Sequence, residues 1–328
     1  HYPAKFDMEK PKEKVTFDAV RKNPSRAAEF VAQMSPEELA RISVCASAGW
    51  GMEGIGEAGR VFQTEGYDLP DFPVSDGNSG VNLNIKNIGM PSGVTICASF
   101  NKELSEAIGC VIGEEAKALG MPLVLAPAFN IHRNPLCGRN FEYFSEDPLL
   151  TGKMAAAFVR GIQSSGGSAC PKHFACNNQE SSRTINNSIV SQRALREIYL
   201  KGFEICVKEA KPLNIMTSYN KINGVWSHYN YDLATTVLRK EWGFDGCVMT
   251  DWWMKHSASH EFPNLRDNAY RVRSQVDVYM PGSFKRTEKK YKPDNSLLET
   301  IGLKNGITRG ELERSAINVL NMILKLEY

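Results

Sequence analysis

A carboxylate, Asp251, comes directly after a short apolar run and is followed by two tryptophans. Residues 247–249 have the composition of a buried strand, and the turn signal Asp245-Gly246 precedes them. Because the carboxyl ends of the strands carry the chemistry in a parallel α/β barrel, an Asp at this place indicates a reactive acid beside a flat apolar platform. Such a platform suits a sugar ring. A structural role is the alternative, since Asp is also favoured just before a helix and both Trp can belong to the core.

Polar side chains follow the other apolar runs of the chain as well. A carboxylate, a guanidinium, an ammonium, an imidazole and a phenol are supplied by Asp76, Arg139, Lys172, His173 and Tyr219. If these groups converge on one pocket, they can hydrogen-bond several hydroxyls in fixed directions, as recognition of a pyranose requires. Each also has a structural interpretation. The Asp can be a turn residue, the Arg an ion-pair partner of Glu142 or Glu146, the Lys-His pair a solvated strand end and the Tyr a half-buried ring.

The elements that must position these groups alternate between short strands and helices. The predicted strands are 72–75, 123–126, 169–174, 213–218, 247–250 and 276–280. The predicted helices are 101–119, 148–164, 191–210, 231–241 and 308–326. Lone strands between helices, without hairpin turns, imply a parallel sheet. This many units favours a closed (β/α)8 TIM-like barrel with an irregular period.

The beginning of the chain has a different composition. Residues 1–24 are rich in Lys, Glu and Pro and predict a polar linker or arm, which leaves 25–328 for the barrel. Helical spacing covers 24–41, and Ser-Pro-Glu-Glu from residue 35 predicts a helix that starts there. Residues 49–54 match G-x-G-x-x-G, but no clean βαβ unit follows. A loop at the barrel mouth is therefore favoured over a dinucleotide site.

Composition indicates an ordinary soluble globular protein: the 328 residues are 42% hydrophobic and 23% charged, with a formal net charge of +2. No dense basic run indicates nucleic acid binding, and no apolar stretch reaches the roughly 20 residues of a membrane span. Eight cysteines without C-x-x-C spacing predict reduced core thiols and, with no signal peptide, a cytoplasmic location. No cofactor is predicted. His256 and His260 are expected to be solvated loop residues, not metal ligands.

Long motifs link these residues to a known family. They are GRNFEYFSEDP at 138–148, PKHFACNNQE at 171–180, MTSYNKING at 216–224 and VMTDW at 248–252. The chain resembles glycoside hydrolase family 3, in particular its β-glucosidases, over most of 35–326. The resemblance implies a TIM-like barrel domain with Asp251 as the catalytic nucleophile. It further implies sugar contacts from Asp76, Arg139, Lys172, His173 and Tyr219, and a wall formed by Trp252.

The chain departs from the family pattern in two places. The family motif Asp-Gly-Pro-x-Gly-x-Arg begins at Asp76, but Asn82 stands where its arginine would be. An arginine that can border the aglycone site is therefore absent, and the resemblance leaves the leaving-group preference open. No acid/base is found in this chain. In the β-glucosidases of the family the acid/base is a Glu from a second α/β domain. Glu180 of this chain is a possible substitute, but a structural role is favoured for it. The polar arm resembles that of members with swapped domain order, so we expect the barrel portion of a longer enzyme.

The sequence therefore predicts a retaining exo-acting β-glycosidase, in particular a β-glucosidase, that works through a covalent glycosyl-Asp251 intermediate. Its expected partners are a small carbohydrate and a second α/β domain that supplies the acid/base; an oligomer is open. Two alternatives remain: a β-xylosidase or bifunctional glycosidase, and a sugar-binding barrel that is inactive without its partner domain. Turnover of aryl glucoside against aryl xyloside separates the first alternative from the leading prediction.

Overall fold

Short buried strands alternate with helices along most of the chain. The computed structural model describes residues 8–44, 46–48, 55–61, 66–260, 262–282, 284–285, 290–291 and 295–328. The strands are β1 (Ala46–Ala48), β2 (Gly59–Val61), β3 (Phe72–Asp76), β4 (Leu123–Leu125), β5 (Ser168–Ala169), β6 (Asn187–Ser188), β7 (Asn214–Met216), β8 (Lys221–Ile222), β9 (Val225–Trp226), β10 (Cys247–Trp252), β11 (Val278–Met280), β12 (Phe284–Lys285) and β13 (Lys290–Tyr291). The G-x-G-x-x-G hexapeptide lies outside the described residues.

Helices cover the strands. The α-helices are α1 (Phe17–Lys22), α2 (Ala27–Ala32), α3 (Pro36–Val44), α4 (Gly93–Ala98), α5 (Lys102–Ala118), α6 (Pro148–Gln163), α7 (Gln192–Ala194), α8 (Lys201–Ala210), α9 (Asp267–Ser274), α10 (Asn295–Leu298) and α11 (Arg309–Leu324). Pro24–Arg26 and Ser227–Tyr229 form 3₁₀ turns, whereas Leu195–Tyr199 and Asp232–Glu241 form π-helix. Within the described ranges, no helix is long and apolar enough to cross a membrane.

Parallel pairing organises the main strands. β3 pairs with β4 and β4 with β5, while β10 pairs with β7 on one side and β11 on the other, all in parallel. An isolated bridge between Phe174 and Thr217 links the two groups. Because parallel strands share one orientation, the carboxyl ends of all six lie at the same edge. The predicted α/β class is therefore confirmed.

The prediction of strands without antiparallel partners is wrong at the start of the sheet. β1 pairs with β2 and β2 with β3, both antiparallel. These first two strands have three residues each, too few for a periodic pattern to reveal them.

Burial explains why the central strands read as unbroken apolar runs. Every residue of β4, β7 and β10 is buried, as expected for parallel strands that are covered on both faces. The helices approach closely where glycine allows it. A Cβ on Gly109 of α5 would lie 2.4 Å from the Phe158 carbonyl oxygen of α6, and one on Gly161 would lie 2.1 Å from that of Glu106. These two glycines let α5 and α6 pack backbone against backbone.

The segment predicted as a polar arm is partly folded into the core. Val15, Phe17 and Val20 are buried in the main hydrophobic cluster, and Thr16 caps α1 by accepting a hydrogen bond from the Ala19 amide. The expected helix start at Ser35 is present: the Ser35 hydroxyl accepts from the Glu38 amide at 3.2 Å. Lys, Glu and Pro dominate this segment, but a few apolar residues suffice to anchor it.

Candidate active site

One cavity of about 380 Å³ opens where the parallel strands end, a volume within the usual range for small-molecule sites. All seven residues singled out from the sequence line it: Asp76, Arg139, Lys172, His173, Tyr219, Asp251 and Trp252. The structure thus brings together groups up to 176 positions apart in the sequence, from Asp76 to Trp252.

Asp251 lies within β10 and its side chain is buried. The alternative role as a helix cap is contradicted, because residues 254–260 are not helical and α9 starts only at Asp267. One carboxylate oxygen accepts a hydrogen bond from the Trp252 amide at 2.7 Å. Burial raises the pKa of Asp251, and the Trp252 amide, Arg139, Lys172 and the Tyr219 hydroxyl oppose that rise by favouring the charged form. The two cations favour the charged form of Asp251, but burial outweighs them.

His173 faces Asp251 from the chain segment on the far side of β7. Its Nε2 lies 3.7 Å from the second carboxylate oxygen. Asn130 holds the His173 backbone on both sides, accepting from its amide and donating to its carbonyl oxygen, each at 2.9 Å. Burial lowers the pKa of His173 well below its usual value, and Arg139, Lys172 and Arg183 lower it further. The ring is therefore neutral at neutral pH.

Lys172 and Asp76 form an ion pair on the wall of the cavity. The Lys172 Nζ atom lies 3.1 Å from an Asp76 oxygen. The lysine side chain is only 5% exposed, whereas that of Asp76 is 50% exposed. The two roles that the sequence left open for Asp76 are compatible, since it ends β3 and also presents an oxygen to the cavity.

Arg139 likewise combines an ion pair with a place on the wall. Its Nε donates to Glu142, and Glu180 lies 4.0 Å away. Asn78 joins the same cluster by donating to Glu142 and accepting from the Ala128 amide. The loop after β3 and the loop after β4 are thereby fixed to one another.

Three aromatic residues and an arginine complete the wall. Trp252 is buried, but Trp253 is 57% exposed at the cavity edge. The Tyr219 ring lies under Arg183, whose guanidinium carbon is 4.5 Å from the ring centroid. Sequence reasoning missed Arg183 because it lies nine positions beyond the end of the strand predicted at 169–174, in the middle of a loop. Its spacing of three residues from Glu180, with which it pairs at 2.9 Å, was the available signal.

Most of the chain, including Asp76, Asp251 and Trp252, matches the profile of a known family. The sequence profile described as Glycosyl hydrolase family 3 N terminal domain matches residues 59–322. The chain belongs to glycosyl hydrolase family 3.

Relatives in this family are named as glycosidases. Beta-glucosidase of Ruminococcus albus is 43% identical over 307 residues, which cover 90% of this chain and 31% of that protein. Exo-alpha-(1->6)-L-arabinopyranosidase of Bifidobacterium longum is 35% identical over 308 residues, covering 90% of this chain and 37% of that protein. The chain thus spans about a third of the length of the curated relatives it matches.

Solved structures of the family share the fold. A beta-glucosidase from Paenibacillus barengoltzii matches with a TM-score of 0.88 and 38% identity, covering 99% of this chain and 36% of that chain. Beta-glucosidase 3B from Thermotoga neapolitana in complex with glucose matches with a TM-score of 0.81 and 37% identity, covering 92% and 43%.

Asn82 and Glu180 are two further residues that the resemblance to the family singles out. Asn82, at the position where the resemblance leads one to expect an arginine, lines the cavity. Glu180 is absent from the lining; it accepts from Asn177 and pairs with Arg183. In the described ranges no group of three or more potential metal ligands occurs, and His256 lies 3.1 Å from Asp267 in a non-helical segment.

Proposed function

We propose that this chain is the nucleophile-bearing barrel domain of a retaining, exo-acting β-glucosidase. One observation carries the proposal: a buried carboxylate at a strand end faces a sugar-sized cavity whose wall is made of groups that bind hydroxyls. The β-glucosidase names of the relatives supply the sugar. A closed (β/α)8 barrel, as the family resemblance implies, is part of this proposal.

Asp251 acts as the nucleophile. Its carboxylate attacks the anomeric carbon, the bond to the leaving oxygen breaks, and a covalent glycosyl-Asp251 ester forms; water then hydrolyses it with a second inversion. Burial works against the charged form, so the Trp252 amide and the nearby Arg139 and Lys172 are needed to keep the oxygen nucleophilic. The site holds a reactive anion without full solvation.

Asp76, Arg139, Lys172 and His173 bind the sugar hydroxyls. Lys and Arg side chains only donate hydrogen bonds, whereas an ionised Asp only accepts them. The site therefore fixes which hydroxyls of the sugar accept and which donate, as well as where they lie. Bonds that tighten as the ring flattens add transition-state stabilisation. Trp252 packs against the sugar face, as its buried indole on the cavity wall suggests.

The proton for the leaving oxygen comes from a second α/β domain. A general acid must bring its own oxygen within reach of the leaving oxygen, and a carboxylate oxygen held in an ion pair is engaged elsewhere. The other described carboxylates on the wall both have cationic neighbours: Glu57 lies 3.3 Å from Arg60, and Asp76 lies 3.1 Å from Lys172. Relatives about three times as long as this chain have room for such a domain.

Asp251→Asn in the full-length protein should reduce hydrolysis of an aryl β-glucoside by at least about a thousandfold, because the amide cannot form the ester intermediate. Asp245→Asn is the matched control, since this exposed Asp ends a loop just before β10 and pairs with Lys325. An activated 2-fluoro-glucoside should label wild-type Asp251, as peptide mass spectrometry can verify. Unchanged turnover by the variant rejects the assignment.

A pentopyranosidase is the second candidate, favoured by the relative named for L-arabinopyranose. A pentopyranose lacks the hydroxymethyl group of glucose. Wild-type kcat/KM on aryl β-glucoside against aryl β-xyloside and aryl α-L-arabinopyranoside decides between them. A protein that binds glucose but turns over none of the three glycosides would instead be a sugar-binding barrel.

A further inference from the structure

His173 is the end of a chain of buried polar groups that begins outside the cavity. Glu180, Asn177, Tyr143 and His173 are linked in that order, and Tyr143, Asn177 and His173 are almost wholly buried. Of these four residues, His173 alone lines the cavity. The other three do not line the cavity themselves, and this series of hydrogen bonds reaches it through the histidine.

The direction of each hydrogen bond in this chain follows from its first member. A carboxylate can only accept, so the atom of Asn177 that lies 3.0 Å from Glu180 must be the amide nitrogen. The same nitrogen lies 3.0 Å from the Tyr143 oxygen and donates its second hydrogen there. Tyr143 must then direct its own proton elsewhere.

His173 Nδ1 lies 3.4 Å from the Tyr143 oxygen and is the acceptor within reach. A buried phenol proton without an acceptor is unfavourable, because the hydroxyl has lost its hydrogen bond to water without replacing it. Nδ1 is therefore unprotonated, and the proton of the neutral ring lies on Nε2.

The surroundings of Nε2, the other ring nitrogen of His173, independently indicate the same tautomer. Nε2 lies 3.7 Å from an oxygen of Asp251. A bare Nε2 would direct a lone pair at the carboxylate, whereas an N–H there is attracted to it. A doubly protonated ring is opposed by burial and by Arg139, Lys172 and Arg183.

We infer that Tyr143, Asn177 and Glu180 are positioning residues that hold His173 with its proton on Nε2, so that the imidazole is a hydrogen-bond donor, and never an acceptor, towards the cavity. The consequence for substrate rests on the proposed function: the sugar must present an oxygen lone pair to His173, and the same N–H can also donate to the Asp251 carboxylate. The tautomer itself is independent of that function.

The test is a two-bond ¹H–¹⁵N spectrum of the full-length protein with ¹⁵N-labelled histidine at about pH 7. The His173 signals are those missing from the His173→Asn spectrum. We expect the pattern of a neutral ring with hydrogen on Nε2. A proton on Nδ1, or on both nitrogens, overturns the inference.

Tyr143→Phe then tests the phenol, with Tyr279→Phe as control, because Tyr279 is also buried but donates to the Val276 carbonyl oxygen. Tyr143→Phe should move the His173 Nδ1 signal and lower kcat/KM on an aryl β-glucoside about two- to tenfold, the value of one neutral hydrogen bond. The control should move neither. An unmoved Nδ1 signal in Tyr143→Phe overturns the role of Tyr143. If the tautomer is as expected but no glycoside is hydrolysed, only the proposed function fails.

Discussion

At the scale of single residues, the charged form of Asp251 depends on several neighbouring groups together. A nucleophile needs its charge, yet a buried carboxylate tends to take up a proton. The Trp252 amide, two cations and the Tyr219 hydroxyl together oppose that tendency. The hydroxyl adds a hydrogen bond to a charged acceptor, a stronger kind than one between neutral groups.

Tyr219→Phe should therefore move the acidic limb of the kcat/KM profile to higher pH. The sign follows from the hydroxyl, which stabilises the charged form of Asp251, so its loss raises the pKa of the nucleophile further. Activity at neutral pH should fall about tenfold. Tyr67→Phe is the control, since Tyr67 also donates to a carboxylate, Glu38, at 2.9 Å but does not line the cavity. An acidic limb that stays in place contradicts the argument.

The site could be predicted to the extent that its residues follow apolar runs. Asp76, Lys172 and Asp251 end or follow strands, so topology alone brings them to one edge. Arg183 and Tyr143 lie in loops whose conformations depend on tertiary contacts with other parts of the chain. Local sequence pattern contains no information about those contacts.

At the scale of elements, Glu311 links α9 and α11, because it caps one helix and forms an ion pair with the other. It completes the capping box of α11 by accepting from the Thr308 amide at 2.8 Å. It also neutralises Arg273 of α9, whose Nε and terminal nitrogen lie 2.5 and 3.0 Å from its oxygens. Both side chains of this pair are buried, so removing one partner leaves an uncompensated charge.

Glu311→Gln should lower the free energy of unfolding by about 3–5 kcal/mol, because Arg273 stays charged and buried. Thr308→Ala removes only the cap of the same helix and should cost about 1 kcal/mol. Urea unfolding of both variants and wild type measures the difference. Equal losses would mean that the buried pair contributes little beyond the cap.

Two elements were predicted at about the right place but with the wrong bounds or the wrong helix type. The strand predicted at 169–174 pairs as a ladder only over Ser168–Ala169, because the chain beyond makes isolated bridges at Lys172 and Phe174 instead. The helix predicted at 231–241 is a π-helix over Asp232–Glu241. Apolar spacing reports which face is buried and is too coarse to separate i+4 from i+5 hydrogen bonding.

At the scale of the whole molecule, two buried histidines connect folding to pH. Burial lowers the pKa of both His173 and His228 well below the usual value. His228 lies away from the cavity, accepts from Arg271 at 3.1 Å through Nδ1, and has that cation beside it to disfavour a second charge. Each ring takes up a proton in the unfolded chain near pH 6.5 and stays neutral in the folded one.

Stability should therefore fall as pH drops below about 6.5, where the unfolded state binds more protons than the folded state. Each histidine contributes a slope of about 1.4 kcal/mol per pH unit until its folded-state pKa is reached. His228→Asn, which keeps an acceptor for Arg271, should remove one such slope from the free energy of unfolding measured by urea between about pH 6 and 5. His260→Gln changes an exposed histidine and should leave the slope as in wild type. If His228→Asn retains the full slope, the proton responsible binds elsewhere, and His173→Asn, which removes the other buried imidazole, is the next variant to test by the same urea measurement.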